Sequence, residues 1–201
     1  MRDLETMELA ITAAETGHLV FATVHTTTAS STVDRMIDQF PPDQQNQIRI
    51  MLANTLKCVI TQMLCRKSGG GRVAAFEILY VHSAVSNLIR EGKTFQLPSV
   101  IQTGKKYGMC TMNESLMGLV YQGQIDLEEA YSNSVDKQDM NQRVNDYLLA
   151  QVQAGSLTPL DAVRLSYFRP DMLDKLRNNG YAKVVQKMDM SQFQERTGGE
   201  T

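Results

Sequence analysis

The sequence is short of the residues that would commit it to several common kinds of protein. It holds three cysteines, Cys58, Cys65 and Cys110, with no CxxC pair among them. That is too few and too scattered for a disulfide framework or a four-cysteine metal site, and it suits thiols kept reduced. No stretch approaches the roughly 18 apolar residues of a membrane span, and the opening MRDLET does not resemble a secretory leader. Neither sign of charge is in excess: 20 Lys and Arg stand against 22 Asp and Glu. No global basic field recruits nucleic acid. Glycine never falls in the GxxxxGK[ST] pattern that cradles phosphates. Gly92-Lys93 and Gly104-Lys105 lack the leading glycine and the hydroxyl residue, and the glycines at 69–71 read as a turn. These absences leave the expectation of a soluble, cytoplasmic chain of one domain, or one domain with a small appendage.

What is present reads as alternating helices and strands. Residues 4–16 are rich in helix formers, and Gly17 stands where a glycine ends a helix. LVFATV (19–24) is short, continuous and β-rich, which predicts a parallel strand covered on both faces by helices. A helix over 29–39 stops before Pro41-Pro42. Ile48, Met51, Leu52, Leu56, Val59, Ile60, Met63 and Leu64 fall at helical spacing. They predict one helix over Asp43–Arg66, carrying Cys58 and Cys65 and ending in the cations Arg66-Lys67 before the glycine turn. RVAAFEILYV (72–81) reads as a second buried strand. Residues 83–91 then form a short helix closed at Gly92, and another helix starts near Thr111.

The remainder reads as all-helical and contains a repeat. LMGLVYQGQIDLEEA (116–130) and LLAQVQAGSLTPLDA (148–162) align without gaps at an offset of 32. In each copy a helix ends at glycine, Gly123 or Gly155, and a new one starts from an N-cap with an acid three residues on. These pairs are Asp126 with Glu129 and Thr158 with Asp161, and Pro159 sits where its missing N–H costs nothing. The duplicated hairpin spans 116–140 and 148–172, and the polar stretch 186–201 is expected to be disordered.

Two of the chain's three histidines, His18 and His25, stand at the ends of the 19–24 run. Their odd separation puts the rings on opposite faces of a strand, so they are not a metal pair. His25, at the carboxyl end of a parallel strand, is where open α/β sheets bind ligands. An imidazole followed by threonine hydroxyls can hydrogen-bond a phosphate. By spacing alone the commoner reading is that both rings satisfy backbone groups at the strand ends. Arg2, Asp3 and Glu5 likewise suit the start of any helix.

Five stretches together resemble one family. MRDLET, AETGHLVFATVHTTTASSTVDRMIDQFP, GGGRVAAFEIL, NLIREGK and IQTGKKYGMCTMNESL look like successive, collinear pieces of the PilT-type retraction ATPases of type IV pili. The resemblance runs from residue 1 to about 130 and fades over the second hairpin copy. It implies the C-terminal part of a RecA-like ATPase core over 1–82, a helical region over 83–185 and a tail beyond. It further implies a cytoplasmic homo-hexamer at the inner-membrane base of the pilus machine, working on a platform protein and using ATP and Mg²⁺. On this resemblance His25 is the catalytic histidine facing the nucleotide phosphates, with Arg2, Asp3, His18 and Thr26 in the nucleotide-binding set.

Ala84, Asn87, Leu88, Ile89, Arg90 and Glu91 match a helix motif that the family needs for retraction. Val85 and Ser86 depart from it, where the family has isoleucine and arginine. The family's N-terminal PAS-like domain, its P-loop lysine and the glutamate that would precede Met1 are not in these 201 residues. The chain alone is therefore expected neither to hold Mg²⁺-ATP tightly nor to hydrolyse it. A different class of function stays open, a catalytically inactive module that docks on a full-length secretion ATPase or a platform protein. An assembly-type secretion ATPase fits less well, since its four-cysteine zinc element cannot be built here.

Overall fold

Helix boundaries in the chain follow its local chemistry closely. The computed structural model describes residues 3–188; Arg2 and the tail from 189 onward lie outside that span. Two compact units divide at Ile125/Asp126. In the first, α1 (Leu4–Glu15) starts at the N-cap Asp3 and ends at Gly17, whose φ of 93° only glycine adopts freely. α2 (Ala29–Asp38) starts from a reciprocal Thr28/Ser31 capping box, and α3 (Pro42–Thr55) carries proline in its first turn.

Two strands follow, β1 (Cys58–Arg66) and β2 (Arg72–Tyr80), paired antiparallel from Cys58 opposite Tyr80 to Arg66 opposite Arg72. Then come α4 (Ser83–Arg90), α5 (Leu97–Thr103) and α6 (Met112–Tyr121), the last with a Thr111/Glu114 capping box. Met7 and Ile11 of α1, Val33 and Ile37 of α2, Leu52 of α3, Val59 and Leu79 of the hairpin and Val85 and Ile89 of α4 share one core.

The mixed α/β class and the all-helical second half match the sequence reading, but three strand-level expectations do not. First, the predicted helix over Asp43–Arg66 is a helix only to Thr55. Leu56, its C-cap, is already extended (φ −63°, ψ 128°), and β1 begins at Cys58. The apolar residues at 59, 60, 63 and 64 fit a helical stripe and a strand equally well by spacing. Pairing along all of β2 decides for the strand. Val59 and Cys65 point into the core, whereas Ile60 and Leu64 are exposed, so the buried set has a period of two. Cys58 and Cys65 thus sit at the two ends of a strand, and Arg66-Lys67 leads into a hairpin turn.

Second, residues 18–26 form no strand. Leu19 is 79% and Phe21 89% exposed. Third, the sheet among the described residues is not parallel but this antiparallel hairpin. Both corrections bear on one requirement, that a strand needs a partner edge. β1 and β2 take one edge from each other, and the outer edge of β2 is occupied by Cys110, bridged to Ile78, and by the Ser115 hydroxyl, which accepts from Phe76 N–H at 2.9 Å.

The second unit is helical throughout: α7 (Leu127–Ser132), α8 (Lys137–Gln153), α9 (Pro159–Leu165), α10 (Arg169–Leu176) and α11 (Ala182–Gln186). α7 is capped by Asp126, whose Oδ1 accepts from Glu129 N–H, and α9 by Thr158, whose Oγ1 accepts from Asp161 N–H. Both turn glycines that precede them, Gly123 and Gly155, have positive φ. Burial recurs at the same 32-residue offset along the chain. Asn113 and Asn145, Leu116 and Leu148, Val120 and Val152, Ala130 and Ala162, Ser134 and Ser166, and Met140 and Met172 are all buried. No helix among the described residues is long and apolar enough to cross a membrane.

Candidate functional site

The sequence-predicted residues fall into a turn that leads into α2, a cap at the start of α1, and the helix α4. At the turn, His25 is exposed and Thr26 half-buried. Thr32 spends its one hydroxyl proton on the Thr28 carbonyl at 2.8 Å. Thr26 is therefore the donor in its 2.6 Å bond to the Thr32 hydroxyl. Thr28 Oγ1 accepts from Ser31 N–H at 3.1 Å, and Ser31 Oγ accepts from Thr28 N–H at 3.2 Å. The residue just after His25 is thus pinned to the first turn of α2. The six residues before His25 belong to no sheet.

His18 does something local. Its Nδ1 lies 3.2 Å from the Ala13 carbonyl and 3.1 Å from Thr16 Oγ1, closing the C-terminal end of α1. A carbonyl can only accept, so the Ala13 bond needs the Nδ1–H form of the ring. Asp3 caps the other end of that helix: Oδ1 accepts from Thr6 N–H at 2.8 Å, and the hydrogen bonds from Thr6 hold its carboxyl below the usual range. An open, largely apolar groove runs between α1 and the strandless segment, lined by Thr6, Ala10, Val20, Phe21, Ala22 and Thr23.

On α4, Ala84, Asn87, Arg90 and Glu91 are exposed, and Leu88 is half-buried. Arg90 donates to Asn87 Oδ1 at 2.8 Å and to Asn54 Oδ1 of α3 at 3.0 Å, so its guanidinium is held in place. Glu91 pairs with Lys93 at 2.7 Å, which lowers its carboxyl pKa. Ile89 is different, since it is fully buried and packs the core. Val85 is also fully buried, so its departure from isoleucine changes packing and not the exposed face.

Two residues went unnoticed in the sequence. His82 is the N-cap of α4: Nδ1 accepts from Ala84 N–H at 3.2 Å, and its ring lies 4.9 Å from that of Tyr107. Its one sequence signal was its place directly before a helical stretch. Glu77, on β2, is buried and accepts the Ala29 N–H at the start of α2 at 2.7 Å. Forty-eight residues separate that pair, and no local pattern announces it.

The turn at 25–32 thus offers an imidazole and hydroxyls at a helix N-terminus, groups that suit the rim of a phosphate site. The backbone cradle and lysine of such a site are not in the sequence. Among the described residues no group of His, Cys, Asp and Glu could hold a metal ion.

Residues 1–70 match the family "Type II/IV secretion system protein". The chain is 55% identical over 130 residues to the "Type IV pilus retractation ATPase PilT" of Pseudomonas aeruginosa, covering 65% of this chain and 38% of that protein. It is 51% identical over 142 residues to the "Twitching motility protein" of Neisseria gonorrhoeae, covering 70% of this chain and 38% of the relative. A crystal structure of the pilus retraction motor PilT with bound ADP superposes with a TM-score of 0.64 at 48% identity, over 71% of this chain and 40% of that one. The chain thus spans about two fifths of the length of the relatives it matches.

Proposed function

Because the chain is a partial-length homologue of the pilus retraction ATPases, we propose that it supplies the C-terminal share of such a motor. The identity of 55% over 130 residues carries the proposal. In the whole motor, ATP hydrolysis would drive pilus disassembly and twitching. His25 would face the nucleotide phosphates from the end of the 19–24 segment, and Thr26 would present its backbone beside it. Arg2, Asp3 and His18 belong to the same nucleotide-side set. The exposed groups of α4, Ala84, Asn87, Arg90 and Glu91, with Leu88 beside them, form the face through which retraction is transmitted. A cytoplasmic hexamer at the inner-membrane base, acting on a platform protein, is the assembly this reading entails.

ATP brings the phosphoanhydride bond that is hydrolysed. The part this chain plays is to hold an imidazole against the phosphates, while cradle and metal ligands must come from residues outside these 201. The absence of a GxxxxGK[ST] sequence favours one second reading, a non-hydrolysing module that docks on a full-length ATPase.

A chimera separates the two. Residues 1–130 replace the matching segment of the Pseudomonas PilT, and twitching is measured in a strain that lacks its own copy. The motor reading predicts twitching that is lost on His25→Ala. A folded, hexameric chimera without ATPase activity supports the docking module.

A further inference from the structure

The turn His25–Thr28 follows a segment without regular secondary structure, and its far side is fixed at three points. Two are local, the Thr26–Thr32 bond and the Thr28/Ser31 box. The third comes from across the fold. Glu77 of β2, 8% exposed, places Oε1 2.7 Å from the N–H of Ala29, the first residue of α2. That N–H is one of the donors a helix cannot satisfy itself, and a carboxylate there also meets the positive end of the helix. The bond is charge-assisted and shielded from water, the strongest kind a backbone N–H makes. Glu77 also shares its face of the hairpin with Thr61, its cross-strand partner, whose buried hydroxyl has no hydrogen-bond partner. Glu77 and Thr61 thus stand two residues along their strands from Leu79 and Val59, both members of the apolar core.

We propose that Glu77 is a positioning residue for the phosphate-facing turn. Its buried carboxylate clamps the N-terminus of α2 to the β-hairpin, and so sets where Thr26 and His25 stand. Besides the two local attachments, the hairpin thus reaches the turn through one side chain. That the turn faces phosphate rests on the proposed function above, but the clamp does not.

Amide exchange in the 201-residue chain tests the clamp without nucleotide. In the unmodified chain the Ala29 amide, which has no acceptor within its helix, should be protected at least about tenfold over an open amide, as a buried charge-assisted bond gives. Glu77→Ala should remove that protection and speed exchange across 26–32, while the amides of 59–65 keep theirs. The same variant should shift the His25 ring resonances. Glu77→Gln keeps an acceptor at the same reach and should restore both readouts in large part. An unprotected Ala29 amide in the unmodified chain overturns the clamp even where Glu77→Ala does not fold. So does a Glu77→Ala variant whose His25 resonances stay in place, or a Gln variant that behaves as the Ala variant does. Mg²⁺-ATP added with a P-loop-bearing upstream polypeptide tests the other reading separately. If it leaves the His25 ring unmoved while the clamp is intact, the phosphate-facing assignment fails and the clamp stands.

Discussion

Ser166 donates its hydroxyl proton to Asn145 Oδ1 at 2.7 Å, and the two residues expose 1% and 0% of their surface. This bond ties the middle of α8 to the end of α9 inside an apolar unit, and Asn145 Nδ2 also reaches the Phe168 carbonyl at 3.5 Å. Truncating one partner strands the other in the core. Asn145→Ala is therefore expected to destabilise the second unit by about 1–3 kcal/mol. The paired change Asn145→Leu with Ser166→Ala, which removes both polar groups, should cost less than the single one. Urea unfolding followed on α8 measures both, and an Asn145→Ala midpoint equal to that of the unmodified chain contradicts the account.

β1 gives a test by contrast. Val59 is 7% and Ile60 61% exposed, though the two are adjacent. Val59→Asp places an unpaired charge in the core and should cost roughly 2–4 kcal/mol, whereas Ile60→Asp should cost no more than about 1 kcal/mol. A helix through this region would put both on one buried stripe and make both changes costly. Equal losses in thermal or chemical melts would therefore restore the helical assignment.

The contrast marks where the sequence could be read and where it could not. Caps and stops are local chemistry. Asp126 with Glu129, Thr158 with Asp161, Gly17 and Gly92 therefore stand where the sequence places them. Val59, Ile60, Met63 and Leu64 are spaced for either period, and only β2, read later in the chain, settles which one holds. The 19–24 run has a strand's composition, but composition supplies no partner edge. In the candidate site, His25 and Thr26 entered through the family resemblance rather than by spacing, whereas Glu77 acts across 48 residues and left no local trace.

The exposed run has a consequence in solution. Leu19 and Phe21 are apolar and almost fully exposed beside the groove against α1. An exposed apolar segment that belongs to no sheet is a template for association. The isolated chain should form concentration-dependent, polydisperse oligomers and bind a hydrophobic dye, and Leu19→Lys with Phe21→Lys should suppress both. Sedimentation of the unmodified chain as a single dye-silent monomer would contradict this.

Acid should loosen the start of α1. The Asp3 carboxyl, held low by its hydrogen bonds from Thr6, favours the folded state above the ordinary aspartate range. That contribution falls away as the pH drops through the lowered folded value. Asp3→Asn, which caps without titrating, should flatten the acid response of the Thr6 amide. An unchanged titration of that amide in the variant would assign the response to another group.

The claim that this chain carries only the histidine side of a nucleotide site has one most direct measurement, ATP turnover with and without a polypeptide bearing the missing GxxxxGK[ST] half. The chain alone should hydrolyse no ATP above background. With the P-loop half of the Pseudomonas relative supplied in trans, turnover should appear and should vanish on His25→Ala. Turnover by the chain alone that survives further purification and is lost on His25→Ala would contradict the account, as would turnover of the mixture that is indifferent to His25.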